Sequence, residues 1–311
     1  MATSTSRRAP TLLLLDAPAA SSTTTTARFR FSASTATTSC SLDGSFYRPC
    51  SNPASYSELS PGAHTVTIRS RNGHGRSSIS VTWTTLPADP IPPVPRPPGP
   101  SGRNLVFEDD FNGTTLNTAN WSPYTSAGNA GNGLRRPSAL SLDGDGHLVI
   151  TADMLNGQIV SGGTSNRLNY TYGLFEFRVR TDPDPTGTMS GVVLTWPQSE
   201  RWPEDGENDI YETNAAVNTR WPFFSFVHYS SRNQQYSFRH DADGAQWHAM
   251  AMDWTADAIK VYRDGVLVWT LEDTAAIPDV AHHLCIQLDA RATRTLTTPV
   301  RMYVDEVRIY Q

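Results

Sequence analysis

The chain has 311 residues, longer than one typical domain, and a formal net charge of −5 from 25 Lys and Arg against 30 Asp and Glu. Three Cys and six Met exclude a disulfide-dense miniprotein or a Cys-rich metal module, and eight Trp with 22 Phe and Tyr are not the makings of a disordered chain. The acidic balance supplies no global basic field, so nucleic acid is not an expected partner, and no stretch reaches the ~18–20 apolar residues of a membrane span.

Residues 1–10 read as a disordered leader. Arg7 and Arg8 followed by Leu12–Leu15 imitate a secretory signal, but the apolar run stops at Asp16, short of the ~7–15 residues of a signal core. A chain acting outside the cell would then need another route out. Residues 11–87 carry short alternating segments. Phe29 and Phe31 alternate with Arg28 and Arg30, Val66 and Ile68 with Thr and Arg, and Ile79, Val81 and Trp83 with Ser and Thr. Period two is the pattern of half-buried strands, and Asp43-Gly44, Pro61-Gly62 and Asn72-Gly73 punctuate them as turns. No helical stripe interrupts, so a small β-sandwich is expected. Cys40 and Cys50 flank one turn and are placed to bond across a hairpin; the competing reading is two buried thiols. The run from Cys40-Ser-Leu-Asp-Gly44 to Leu59-Ser-Pro-Gly-Ala-His-Thr-Val66 resembles bacterial immunoglobulin-like repeats, which implies a spacer or adhesion domain.

Residues 88–103 contain seven prolines between Pro90 and Pro100, which blocks helix and central strand alike. They read as a semi-rigid linker of roughly 40 Å; a PxxP ligand is the alternative. Residues 104–311 return to strands. Phe175, Phe177 and Val179 alternate with charged residues, Ile259–Arg263 and Val266–Trp269 flank the turn Asp264-Gly265, and Met302–Tyr310 reads as a closing strand. Some 200 residues of antiparallel strand without helices suit a two-sheet jelly roll.

Most chemistries fail for want of residues: no Gly-rich phosphate loop, no G-x-S-x-G, no H-E-x-x-H and no C-x-x-C is present. One segment remains, Trp202-Pro-Glu-Asp-Gly-Glu207-Asn-Asp209-Ile-Tyr-Glu212. Glu207 and Asp209 share a face of a strand, whereas Glu212, three residues on, would face the other way. A β-bulge at Ile210–Tyr211 restores the phase and aligns all three acids. Like charges this close cannot ionise independently, and glycoside cleavage needs that division between an attacking carboxylate and a proton-donating carboxylic acid. A retaining enzyme needs its two carboxyls ~5–5.5 Å apart, so the sheet must be concave on that face. The bland alternative is three solvated acids. Trp196, Trp202 and Trp221 lie nearby in sequence, with Phe223, Phe224 and Phe226 behind, and flat aromatic faces suit sugar rings; core packing is the competing role.

Residues 104–311 resemble glycoside hydrolase family 16, especially its laminarinase-like members. The likeness rests on Asp109–Gly113, Leu148–Ala152, Ser161-Gly162-Gly163, Tyr172–Arg178, Gly206-Glu207-x-Asp209-Ile210-x-Glu212, Trp247-His248, Asp264-Gly265 and Val304–Tyr310. It implies an all-β jelly roll with a concave glycan cleft and an endo-acting retaining hydrolase of β-linked polysaccharide, β-1,3-glucan most of all. Carried over position by position, Glu207 is the nucleophile, Glu212 the acid/base, and Asp209 the group tuning both. Trp196, Trp202 and His228 line the cleft; Trp221 is added from proximity. No cofactor is required. Some relatives hold a structural calcium near the chain ends, where Asp305 is the candidate ligand. Three departures bear on this. Asn208 replaces an aliphatic residue and should point away from the cleft, Gln287 stands where many relatives have Asn, and the Gly pair common downstream is missing. The alternatives are a non-catalytic glycan-binding adhesin on the same cleft, or the same hydrolase as a phage-tail or virion component attached to other virion or surface proteins. The expected location is extracellular or virion-associated.

Overall fold

Period-two alternation becomes strand pairing along most of the chain, because a strand with one apolar face is stable only when that face is covered. A computed structural model describes residues 8–22, 24–34, 37–57, 59–60, 62–85, 102–214 and 219–311. Most of the expected leader and linker, residues 1–7 and 86–101, lies outside the described residues. The chain divides into two compact units, Met1–Pro92 and Pro93–Gln311.

The first unit has a three-stranded sheet, in the order Leu12–Asp16, Ala27–Ala33, Ala54–Tyr56. Its five-stranded sheet runs Ser21–Ser22, Gly75–Thr85, Gly62–Asn72, Thr38–Leu42, Arg48–Pro49. Phe29 and Phe31 turn inward while Arg28 and Arg30 stay exposed, and they meet Val66, Ile68 and Trp83 in one core. Cys40, on Thr38–Leu42, and Cys50, just after the paired strand Arg48–Pro49, are bonded with Cα atoms 5.7 Å apart. Cys285 is the free thiol, and it is buried.

In the second unit one layer consists of six strands: β1 (Gln158–Asn166), β2 (Met189–Pro197), β3 (Glu207–Thr213), β4 (Phe223–Tyr229), β5 (Gln234–His240) and β6 (His282–Ala290). Their order across the sheet is β5-β4-β3-β2-β6-β1. The hydrogen-bonded path then passes through the hairpin of Leu148–Leu155 with β1 into the second layer. There Leu148–Leu155 is followed by Val300–Tyr310, Gly173–Thr181, His248–Trp254, Ile259–Arg263 and Val266–Leu271. The expected closing strand is therefore interior, paired on both sides. Two single 3-10 turns, Asn129–Gly131 and Pro137–Ala139, are the helical segments among the described residues. The result is an all-β jelly-roll sandwich.

Leu148, Ile150, Phe175, Phe177, Val193, Ile210, Ile286 and Val304 fill the space between the layers. On β2 and β6 the alternate residues Val192, Leu194 and Cys285 form a second apolar cluster with Tyr124 and Trp196. Their strand phase puts them on the opposite side of the sheet from the core, where they form the floor of the site.

Candidate active site

The acids stand on β3, and the strand breaks phase where the sequence requires it. Against β4, Asp209 faces Phe226 and Glu212 faces Phe224, so three steps on β3 match two on β4. Against β2, Tyr211 faces Val193 and Asp209 faces Leu194, which leaves Ile210 as the extra residue. Both bulge residues turn into the core and are fully buried. The Tyr211 hydroxyl donates to the Gly244 carbonyl at 2.9 Å and lies 3.1 Å from Thr181 Oγ1. Satisfying that polar tip lets the bulge bury an aromatic ring at little cost. Asn208 also points away from the cleft, donating from Nδ2 to Thr195 Oγ1 at 2.9 Å. Gly206, at φ +82°, leads into β3; a Cβ there would sit 2.6 Å from Pro278 Cγ and 3.1 Å from the His228 carbonyl oxygen. Only glycine fits both that conformation and that space.

Glu207 and Asp209 are 9% and 4% exposed. Oxygens of both lie within 4.8 Å of each other and of a His228 ring nitrogen. His228 Nε2 is 3.3 Å from Asp209 Oδ2, and its Nδ1 is 2.8 Å from Asn233 Oδ1. Trp202 Nε1 donates to Glu207 Oε2 at 2.6 Å. Burial, then the charge of Asp209, holds the Glu207 carboxyl well above the usual range. Burial, then Glu212, does the same to Asp209, opposed by Arg291 and by a hydrogen bond with Glu207. Glu212 is also raised, by burial first, against the pull of Arg291. Burial and mutual repulsion thus push all three acids the same way, towards holding their protons to higher pH. By spacing, Glu207, Asp209 and His228 would be the set to receive a cation. Each already has a protein partner, and the arrangement suits proton sharing.

The tryptophans divide. Trp196 and Trp202 stack, with centroids 6.1 Å apart and planes 12° from parallel, beside Glu207. Trp196 is steadied by its Nε1–H donating to Glu200 Oε2 at 2.9 Å. Trp221 does not share in that stack. It precedes β4 next to Phe223, which pairs with Thr213, and so stands beyond the Glu212 end. Phe224 and Phe226, opposite Glu212 and Asp209, stack on each other and continue the aromatic surface across β4, whereas Phe223 is in the core. Asp305, the candidate calcium ligand, accepts a hydrogen bond from Arg178 Nη1 at 2.9 Å through one carboxylate oxygen.

Sequence reasoning missed Arg291, whose Nη1 pairs with Glu212 Oε1. It also missed Tyr124 on the floor, Arg135 gripping the buried Asp289 through two nitrogens, and Asn233 behind His228. Each lies on a strand or loop far from the acidic segment, and no local pattern marks any of them.

The model of the glycosyl hydrolases family 16 matches residues 129–297, more than half of the chain and all six of the strands β1–β6. The chain belongs to glycosyl hydrolase family 16. A glucan endo-1,3-beta-glucosidase A1 of Niallia circulans is 26% identical over 272 residues, covering 68% of this chain. The chain spans 38% of the length of that relative. Among solved structures, SCLam, a non-specific endo-beta-1,3(4)-glucanase, superposes with a TM-score of 0.59 at 24% identity, covering 68% of this chain and 92% of that one. A laminarinase from Flavobacterium sp. UMI-01 gives 0.58 at 23%, covering 67% and 100%. The laminarinase catalytic domain of Thermotoga maritima gives 0.57 at 18%, covering 67% and 98%. At these identities the structural likenesses establish the fold of the family-16 unit.

Proposed function

We propose that this family-16 chain is a retaining, endo-acting β-glucanase with β-1,3-glucan as its main substrate. The observation that carries the proposal is the bulged strand, which turns Glu207, Asp209 and Glu212 to one face with their protonation coupled. The names borne by the relatives, glucan endo-1,3-beta-glucosidase and laminarinase, support the substrate class.

In this reading Glu207 attacks the anomeric carbon. Its carboxylate is stabilised by the Trp202 indole N–H and by the proton held on Asp209, so Asp209 stays neutral while Glu207 ionises. Glu212 protonates the departing glycosidic oxygen. It then takes a proton from the water that attacks the anomeric carbon and releases Glu207. His228, with Nδ1 turned to Asn233, keeps Nε2 at Asp209 and fixes that carboxyl's orientation. Trp202 and Trp196 offer a flat surface beside the nucleophile for a sugar ring, and Trp221 serves a more distant one. Carboxyl groups of the chain supply all the proton chemistry, and no cofactor is needed.

The two-sheet N-terminal unit and its disulfide support an immunoglobulin-like spacer that works in an oxidising space, outside the cell or on a virion, where it would contact other surface or virion proteins. Glu207→Gln should abolish release of reducing ends from a panel of β-glucans and galactans while leaving binding intact. Unchanged release would refute the proposed nucleophile. Binding without turnover by the wild-type chain would make it an adhesin.

A further inference from the structure

Glu212 is the acid that must carry a proton before cleavage begins, yet it is paired with a permanent cation, Arg291. Arg291 follows β6, in the stretch where the Gly pair of relatives is missing. Its own backbone N–H donates to the Thr188 carbonyl at 2.8 Å, while its side chain reaches across to Glu212 Oε1. Backbone anchoring and side-chain freedom go together here: the Arg291 side chain is 49% exposed, whereas that of Glu212 is 15% exposed.

The other groups facing Glu212 offer no substitute for this cation. On β3 itself stand Asp209 and Glu207, and from β4 comes His228, already committed to Asp209 and Asn233. From β6 comes Asp289, whose carboxylate is taken by Arg135. The direct strand neighbours are Val192 on β2 and Phe224 on β4, both apolar. Arg239, across from Phe224 on β5, pairs with Asp241.

Building on the hydrolase reading above, we propose that Arg291 is a positioning residue that holds Glu212 ionised in the empty cleft and is released when a glycan binds, so that the acid takes up its proton only with substrate in place. Two physical facts point to release rather than a permanent clamp. A charge-assisted pair favours the carboxylate, the form that cannot donate a proton. A half-exposed guanidinium loses little on returning to water, while a glycan over β3 brings hydroxyls that compete with it for the carboxylate. Burial raises the Glu212 carboxyl above its ordinary range, and Arg291 opposes that rise.

Two experiments on the full chain test this. The first compares pH profiles of wild type, Arg291→Ala and Arg291→Lys on a soluble β-1,3-glucan. The profile of kcat/KM reports the free enzyme and that of kcat reports the complex. Arg291→Ala should raise kcat/KM on the alkaline side about three- to tenfold relative to its own optimum, while the kcat profile stays in place and Arg291→Lys behaves as wild type. Both profiles moving together would show a permanent clamp, and neither moving would show a mere surface ion pair; either overturns the proposal. The second is an NMR titration of the 13C-labelled Glu212 carboxyl in the Glu207→Gln background. Its midpoint should rise on adding Arg291→Ala, and also on adding a β-1,3-gluco-oligosaccharide. A midpoint unmoved by Arg291→Ala sinks the inference even if the enzyme is active. An inactive wild type sinks the hydrolase reading, and the titration then decides the role of Arg291 on its own.

Discussion

Asp209→Asn should raise stability and destroy activity together. The side chain is 4% exposed, so an amide of the same shape replaces it without a cavity. With carboxyl oxygens of Glu207 and Asp209 within 4.8 Å, two ionised groups would repel by about 3.5 kcal/mol at an effective dielectric near 20. Burial of both adds to that cost. Part of the repulsion is already relieved by the shared proton, so the family-16 unit should gain about 1–3 kcal/mol at pH 7, or several degrees in Tm.

The pH dependence fixes the sign. These acids have folded-state pKa values raised above the unfolded ones. They cost nothing where both states are protonated, and the cost grows as pH rises above the unfolded value of about 4. The gain from Asp209→Asn should therefore be present at pH 7 and fade towards pH 3–4. Activity should fall about 10²–10³-fold, because an amide cannot hold and return the proton that divides the roles of Glu207 and Glu212. Calorimetry at pH 4 and pH 7 with reducing-end assays measures both effects. A variant less stable at pH 7, or one that keeps wild-type turnover, would refute the shared-proton reasoning.

Trp202→Phe keeps an aromatic surface but removes the donor 2.6 Å from Glu207 Oε2. Since that donor favours the carboxylate, kcat/KM should fall about 10–100-fold and the acid limb of its pH profile should move up. An unmoved limb would mean the indole acts by stacking alone. Cys40→Ser opens a link between residues 10 apart in sequence and should destabilise the N-terminal unit by about 2.7 kcal/mol, with glucan hydrolysis unaffected. Differential scanning calorimetry would show the loss, and a transition unchanged from wild type would contradict it.

The placement of the acids was legible because strand phase is rigid. Glu207 and Asp209 at period two, with Glu212 out of step, left a bulge at Ile210–Tyr211 as the way to align all three, and the pairing partners on β2 and β4 show it there. The strands themselves were legible for the same reason, as Phe29/Phe31 and Phe175/Phe177 show. What escaped depends on which strands become neighbours. Arg291 reaches Glu212 across 79 residues of sequence because β6 sits on the far side of β2, and alternation carries no information about that order. Nearness in sequence says as little about where along the cleft a side chain stands. Trp221 is only nine residues after Glu212, but it stands past the end of β3 rather than in the stack beside Glu207.

The chemistry stands or falls on whether Glu207 attacks the sugar directly. Proton NMR of the first products from a β-1,3-gluco-oligosaccharide, recorded before mutarotation, decides it. The new reducing end should appear as the β anomer, its configuration kept by two successive displacements. An α anomer formed first would mean that water, not Glu207, attacks the anomeric carbon.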